Sequence, residues 1–246
     1  MPMKVRAICC EIVYREVCRL ASESPLIVDV DFLPKGLHDV GAEKMSVRLQ
    51  EMVDAVDEET YDATVMGYAL CNNGVVGLKA TRTKLIVPRA HDCITLLLGS
   101  HRRYQEHFDT HPGTFYHSTG WRERDSYSQE DDIPSQLGMR GTYEEYVEKY
   151  GEENARHIME SLGSWQQSYS RITYIDMGLA MDDRYAEESR ADADEKGWEF
   201  ERIKGDWRLL RNLLEGDWND EEFLTVEKGD CVEASYDDCI LRCRRR

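Results

Sequence analysis

The sequence predicts an α/β fold with two Rossmann-like lobes, mostly parallel sheets, and a cleft at the carboxyl ends of the strands. Short apolar runs alternate with amphipathic segments in the first half, and this alternation returns after a polar region around residues 122–141. Strands separated by helices pair in parallel, because each connection must cross back over the sheet. A length of 246 residues suits one large domain or two smaller lobes, and the polar region favours lobes at residues 1–125 and 126–246.

The first half has a β-α opening followed by three further strands. Residues 5–10 form an apolar, strand-like run, and Val13, Val17 and Leu20 then share one face of a helix. Strands are also predicted at residues 26–33, 63–68 and 84–87, with a helix at residues 45–56. We expect these four strands to form one parallel sheet.

The second half contains a capping box at residues 142–145. The side chains of Thr142 and Glu145 can satisfy each other's free backbone amides, so a long helix is predicted from there towards Ser161. A strand at residues 172–177, an acidic helix at 182–196, a shorter helix at 207–214 and a strand at 223–226 follow. This order is again typical of alternating strands and helices.

The composition excludes several classes of partner. Lysine and arginine number 31 against 48 acidic residues, which gives a net charge of −17 and argues against nucleic acid or an anionic membrane surface. No stretch approaches the roughly 20 apolar residues of a membrane helix, and the N-terminus lacks the pattern of a secretory signal. We therefore expect a cytoplasmic protein whose eight cysteines are reduced, with some of them available as ligands.

Four potential metal ligands lie at or just beyond the carboxyl ends of three predicted strands. Cys10 ends the first strand, Cys71 follows the third, and His91 and Cys93 follow the fourth. Because such ends converge on one edge of a parallel sheet, we expect these side chains to surround one ion. Thiolates with an imidazole suit Zn²⁺. The alternatives are iron, another transition metal or a metal cluster. Strand alternation points Cys9 to the opposite face, so only one of the pair Cys9 and Cys10 should be a ligand.

The residues around Cys93 add to this prediction. Asp92 can cap a helix at residues 94–98, which places the Cys93 thiol in the first turn, where a helix dipole lowers a thiol pKa. The alternative is that each cysteine is a small buried hydrophobe and that His91 is a hydrogen-bonded loop residue. Cys18 is expected in the core for the same reason.

Further residues are expected to support the ligands or bind substrate. Glu11 and Asp92 could orient ligands, and Arg89 or Arg122 could bind an anionic group. The loop that follows Cys71 could present backbone amides, although a plain tight turn is favoured. The complete set is Glu11, Asn73, Gly74, Arg89, Asp92, Trp121, Arg122 and Asp176.

Two other groups are interpreted as having no metal-binding role. The spacing of Cys239 and Cys243, which follow Cys231, is also that of two core-facing residues of a helix. The histidines at 101, 107, 111 and 117 match no recognised metal pattern and are expected to be surface or packing residues.

Five segments carry a resemblance to a known family. They are residues 67–74, 88–95, 112–121, 174–178 and 235–238, and the Pro-Arg-Ala-His-Asp-Cys stretch that ends at Cys93 is the most specific. The chain resembles, over nearly its whole length, the family called domain of unknown function sixteen thirty-eight, which occurs in anaerobic archaea and bacteria. The resemblance implies a link to corrinoid-dependent methyl transfer. Because Arg89 stands where the corrinoid-binding Asp-x-His motif has aspartate, a corrinoid would be carried by a partner protein.

These observations lead to one functional expectation and two alternatives. The ligand types His91, Cys93 and Cys71 are similar to those of zinc enzymes that methylate thiols, so we expect a metal-binding protein of anaerobic one-carbon metabolism with a small-molecule or thiol ligand. The first alternative is a non-catalytic carrier or accessory protein for a metal, a cofactor or a corrinoid protein. The second is a structural α/β protein with reduced core cysteines.

Overall fold

The computed structural model describes residues 2–124, 147–148, 151–152, 169–181 and 183–245. In this part of the chain the predicted α/β class with mostly parallel sheets is confirmed. The strands are β1 (Lys4–Cys10), β2 (Ile27–Leu33), β3 (Ala63–Gly67), β4 (Lys84–Pro88), β5 (Thr114–Ser118), β6 (Arg171–Asp176), β7 (Glu199–Lys204), β8 (Phe223–Val226), β9 (Cys231–Ala234) and β10 (Leu241–Arg244). The helices are α1 (Tyr14–Glu23), α2 (Ala42–Asp54), α3 (Cys93–Leu98), α4 (His101–Thr110), α5 (Thr119–Glu123), α6 (Arg184–Lys196) and α7 (Arg208–Glu215), and short 3₁₀ turns cover Glu11–Val13 and Lys35–Val40.

The first sheet has the strand order β2-β1-β3-β4-β8. Strands β1 to β4 are parallel, as predicted, and β8 pairs antiparallel with β4. Every residue of β3 is buried, which is typical of a parallel strand that is covered on both faces. Helices α1 and α7 pack against each other, and α7 also contacts β3 and β4. Because β1, β3 and β4 are parallel neighbours, their carboxyl ends lie at one edge of the sheet.

The second sheet is a parallel sheet with the order β5-β6-β7, and α6 packs on β6 and β7. Ile175 and Met177 belong to the same apolar cluster as the first sheet, so the two sheets share one core. The division into lobes 1–125 and 126–246 stays a prediction. Any two-lobe description must place β5 with the second sheet, and α7 and β8 with the first.

Several element boundaries and environments differ from the sequence-based expectation. Helix α2 begins at Ala42, directly after Gly41, whose φ of +88° suits a chain reversal that favours glycine. The predicted helix from 142 towards Ser161 lies outside the described residues, apart from residues 147–148 and 151–152. Cys18 was expected in the core and is exposed, because it lies beside the apolar face that Val17 and Leu20 bury.

The C-terminal cysteines lie in a β-hairpin, and the interpretation that Cys239 and Cys243 share a helix is wrong. Cys231 begins β9, Cys243 lies on the antiparallel strand β10, and Cys239 is exposed between the two strands. None of the helices in the described ranges combines the length and the apolar character that a membrane crossing requires.

Candidate metal centre

Three of the four predicted ligands line one cavity of about 220 Å³. Cys10 is the last residue of β1, Cys71 lies four positions after the end of β3, and Cys93 opens the helix that follows β4. Because β1, β3 and β4 are neighbours in the sheet, their carboxyl ends bring these cysteines together from distant parts of the sequence. All eight cysteines of the chain are free thiols.

The loop that carries Cys71 has an unusual backbone. Cys71, Asn72 and Asn73 have φ values of 43°, 54° and 66°, a left-handed conformation that costs energy in residues other than glycine. Backbone hydrogen bonds fix the loop to the segment after β4, since the Cys71 amide donates to the carbonyl of His91 at 2.9 Å. A Cβ at Gly74 would come within 2.2 Å of the Met45 sulfur, so a larger residue there would require the Met45 side chain to move. Such strain is retained mainly at functional sites.

Asp92 caps α3 as predicted. Its Oδ1 accepts hydrogen bonds from the amides of Ile94 and Thr95 at 3.1 and 3.2 Å. The expectation that the helix dipole lowers the Cys93 pKa is wrong. Loss of solvent raises the pKa of Cys93 well above its ordinary value, and the negative charges of Asp92 and the other two cysteines raise it further.

The other two thiols of the cavity are also hard to ionise. Loss of solvent raises the pKa of Cys10 to about 11 and that of Cys71 to about 12, against the smaller opposing effect of nearby backbone amides. All three cysteines are therefore neutral thiols at physiological pH in the absence of a compensating cation. A metal ion supplies such a charge and binds the deprotonated form.

Two further residues complete the cavity and were not predicted from the sequence. Lys35 is buried, donates from Nζ to the Trp121 carbonyl at 3.2 Å, and lies 4.7 Å from the centre of the Trp121 ring. The positive charge of Lys35 lowers the Cys10 pKa, although less than burial raises it. The hydroxyl of Tyr68 is buried beside the Cys10 thiol. Lys35 stands in a 3₁₀ turn far from every cysteine in the sequence, so no local pattern indicates its role.

Cys10, Cys71 and Cys93 are not placed as a group that could hold one ion without rearrangement. In the described part of the chain the one group of three or more histidine, cysteine or acidic residues so placed is His107, His111 and Glu201, whose ligand atoms all lie within 4.8 Å of one another. A tetrahedral zinc ion would hold its thiolates about 3.8 Å apart, given its bond length to sulfur. The cysteines must therefore move closer around a single ion or hold a larger group.

His91, the fourth predicted ligand, does not line the cysteine cavity. Its side chain is exposed and its ring centre lies 5.2 Å from that of His101. Loss of solvent and the neighbouring His101 lower the pKa of His91, against the opposing effect of Asp92. The backbone of His91 takes part in the site through its bond to Cys71, while its imidazole faces another region.

The predicted supporting residues divide into two groups. Asp92 and Trp121 line the cavity. Glu11 accepts a hydrogen bond from the Lys35 amide at 3.3 Å and so helps to place Lys35. Gly74 and the exposed Asn73 belong to the strained loop.

The charged residues expected to bind substrate have other contacts. Arg89 donates to the carbonyls of Asp220 and Cys239 at 2.9 and 3.0 Å, and thereby holds C-terminal segments. Arg122 forms ion pairs with Asp192 and Glu188 at 2.6 and 3.4 Å, and Asp176 pairs with Arg202 at 2.7 Å. None of these three residues lines the cysteine cavity or a second cavity that adjoins it.

A second cavity, of about 390 Å³, adjoins the first. The two cavities share a wall that consists of Ile12, Asp92, Cys93, Ile94 and Trp121. Aromatic side chains form most of the remaining lining, namely Tyr104, Phe108, Phe115, Tyr116 and Tyr169. Asp92 is the one carboxylate among its described lining residues, which include no lysine or arginine. This lining favours a mainly apolar ligand over an anionic one.

A family model with the description Protein of unknown function (DUF1638) matches residues 32–214. The matched region includes Cys71, Asp92 and Cys93, and it begins after Cys10. Neither the curated proteins nor the solved structures contain a match to the chain.

Proposed function

The chain belongs to the family described as Protein of unknown function (DUF1638), and that description assigns no activity. We therefore propose its function from the site, together with the sequence resemblance. The protein binds a metal centre, with Cys10, Cys71 and Cys93 as its ligands at the carboxyl edge of the first sheet. Its cellular role is in one-carbon metabolism, as a thiol-activating methyltransferase.

The convergence of three thiols in one cavity carries this proposal. Cys9 provides an internal comparison, because it is completely buried on the other face of β1 and packs against Gly67, as an ordinary core cysteine does. Cys10, Cys71 and Cys93 instead face a space of about 220 Å³ that packing alone would fill. The left-handed backbone at Cys71 also costs free energy, and a purely structural role does not explain that cost.

Zinc suits this donor set. Three thiolates leave one of its four positions for a substrate, and a bound substrate thiol would then be held as the nucleophilic thiolate. Lys35 partly offsets the negative charge of the ligands, and Trp121 and Ile12 shield the site from water. The three cysteines are not placed as a group for a single ion, which supports a second candidate, an iron–sulfur cluster, since a cluster spaces its thiolate ligands further apart than one ion does.

The proposed reaction joins a methyl group to a substrate thiol in the aromatic cavity. Cys93 and Asp92 lie in the wall that this cavity shares with the metal centre, so a ligand there could reach the fourth position. In the transfer, a sulfur–carbon bond forms and the cobalt–carbon bond of a methylated corrinoid breaks. The electron pair stays on cobalt, and the thiol proton leaves when the sulfur binds the metal. Support for a corrinoid protein as donor comes from the sequence resemblance.

Metal analysis of anaerobically purified protein tests the proposal. We expect the wild type to contain one metal ion or cluster that Cys71→Ala and Cys93→Ala lose and that the matched control Cys18→Ser, whose thiol is exposed, retains. Loss of zinc from a colourless protein supports the first candidate, because Zn²⁺ has a filled d shell, whereas loss of iron and sulfide from a brown protein supports the second.

The same preparations distinguish the alternative functions. Transfer of a methyl group from methylcobalamin to a small thiol, lost in Cys71→Ala, supports the enzyme. A retained metal without turnover supports a carrier or accessory protein. If the two alanine variants keep the full metal content of the wild type and alter only stability, the cysteines are structural and the proposal of a cysteine metal centre is wrong.

A further inference from the structure

His107, His111 and Glu201 form a second group of potential ligands, separate from the cysteine cavity. His107 lies in the last turn of α4 and His111 directly follows the helix, where its amide donates to the His107 carbonyl at 2.9 Å; the two ring centres are 4.8 Å apart. Glu201 reaches them from β7 in the second sheet. One potential ligand atom from each residue lies within 4.8 Å of the other two.

The surrounding hydrogen bonds orient this group. The Tyr116 hydroxyl lies 2.6 Å from His107 Nδ1, and His107 Nε2 lies 3.1 Å from a carboxylate oxygen of Glu201. Thr173 donates to that same oxygen at 3.1 Å. A partner on the remote ring nitrogen is the usual way in which proteins fix a histidine ligand, because it sets the orientation and tautomer of the ring.

One nitrogen atom of the group is buried without a hydrogen bond. His111 Nδ1 is buried, and no hydrogen-bond partner reaches it. A buried imidazole nitrogen without a partner costs free energy, and a metal ion in the group is one means of removing that cost.

We propose that His107, His111 and Glu201 bind one divalent transition-metal ion, with Zn²⁺ as the reference ion. Two imidazoles and one carboxylate suit zinc and its neighbours, and three protein ligands leave a position for water or substrate. The site lies behind Tyr116, whose ring lines the aromatic cavity. This assignment is independent of the cysteine centre, since the two sites share no residue.

Arg171 is the main feature that opposes a cation here. Its guanidinium lies 3.6 Å from the Glu201 carboxylate and would repel a metal ion. Arg171 also forms a closer ion pair with Glu199. Because Glu199 can retain the arginine, Glu201 can release it and bind a metal. The simpler state of the group is a hydrogen-bonded His107–Glu201 pair with no ion, and the experiment must distinguish the two.

Cobalt titration of the apo full-length protein distinguishes the two proposed sites by spectroscopy. Thiolate ligands give intense near-ultraviolet charge-transfer bands, while a histidine and carboxylate site gives only weaker visible bands. We expect one equivalent of each kind in the wild type. His111→Ala and Glu201→Gln should weaken binding of the second kind at least tenfold and leave the thiolate bands unchanged. Glu106→Gln, on the exposed side of α4, where the carboxylate pairs with Arg102, is the matched control and should retain both.

Zinc binding followed by calorimetry gives a second measurement. Cys71→Ala should still bind one zinc ion at the histidine site, so failure of the cysteine centre leaves this proposal testable. Thermal unfolding of the metal-free variants checks that each one folds. The proposal is overturned if folded wild-type protein shows no cobalt bands without thiolate character, or if those bands persist in both His111→Ala and Glu201→Gln.

Discussion

Glu16 provides the sharpest test of the relation between structure and pH. This residue of α1 is completely buried, and no hydrogen bond of ordinary geometry reaches either carboxylate oxygen. Burial raises the pKa of Glu16 to about 7 from an ordinary value of 4.5, against the weaker influence of its own amide and Arg15, while Glu123 raises it further. Tyr174 of β6 and Cys18 of α1 are further titratable neighbours.

The sign of the effect on stability follows from these values. Between pH 4.5 and 7 Glu16 loses its proton in the unfolded chain but keeps it in the folded protein, so the free energy of unfolding falls as pH rises. Across this interval the free energy of unfolding should fall by about 3 kcal/mol, at roughly 1.4 kcal/mol for each pH unit. Glu16→Gln cannot ionise, so its stability relative to wild type should increase by this amount from pH 4.5 to 8.

Urea denaturation at closely spaced pH values, with metal-free protein, measures the difference between wild type and Glu16→Gln. The slope of this difference is the relevant quantity, because a buried amide brings a constant cost of its own. Glu23→Gln, at the exposed end of the same helix, is the control and should not reproduce the slope. A difference curve that stays flat between pH 4.5 and 8 would refute the reasoning.

Three further predictions concern packing and capping. A Cβ in Gly120→Ala would lie 1.9 Å from the Ile12 carbonyl oxygen, so stability should fall by about 1–3 kcal/mol in chemical denaturation; an unchanged midpoint would contradict this contact. Arg89→Ala should lower stability by about 2 kcal/mol without changing metal content, since Arg89 holds backbone carbonyls; metal loss at unchanged stability would instead support a role in ligand binding. Asp92→Ala should lower stability by about 1 kcal/mol by removing the α3 cap, whereas Asp92→Asn, which can still cap the helix, should retain most of that stability. Equal losses of stability in the two variants on thermal unfolding would show that capping is not the cause.

The sequence was sufficient to predict six of the ten described strands and three of the proposed ligands, while β5, β7, β9 and β10 were not predicted. Apolar runs mark β1, β3 and β4, and parallel pairing then places Cys10, Cys71 and Cys93 at one edge. The direction of the His91 side chain could not be predicted in the same way. Its position two residues before Cys93 does not determine the direction of a loop side chain, and the ring faces His101.

Other features depend on contacts that no local pattern records. Lys35 reaches the cysteine cavity through a turn fixed by Glu11, and β8 joins the first sheet from more than 130 residues away. The His107 and His111 pair did have a usable signal, a spacing of four residues across the end of a helix. Its importance appears only when Glu201 is placed opposite by the second sheet.

The position of β8 also has a consequence for synthesis of the chain on the ribosome. Residues 84–88 emerge long before residues 223–226, which cover them in the finished sheet. During translation of the intervening segment, β4 presents a free edge whose backbone groups can pair with any extended chain nearby. A chaperone that holds this nascent edge would increase the yield of native protein, and truncation before β8 would increase aggregation.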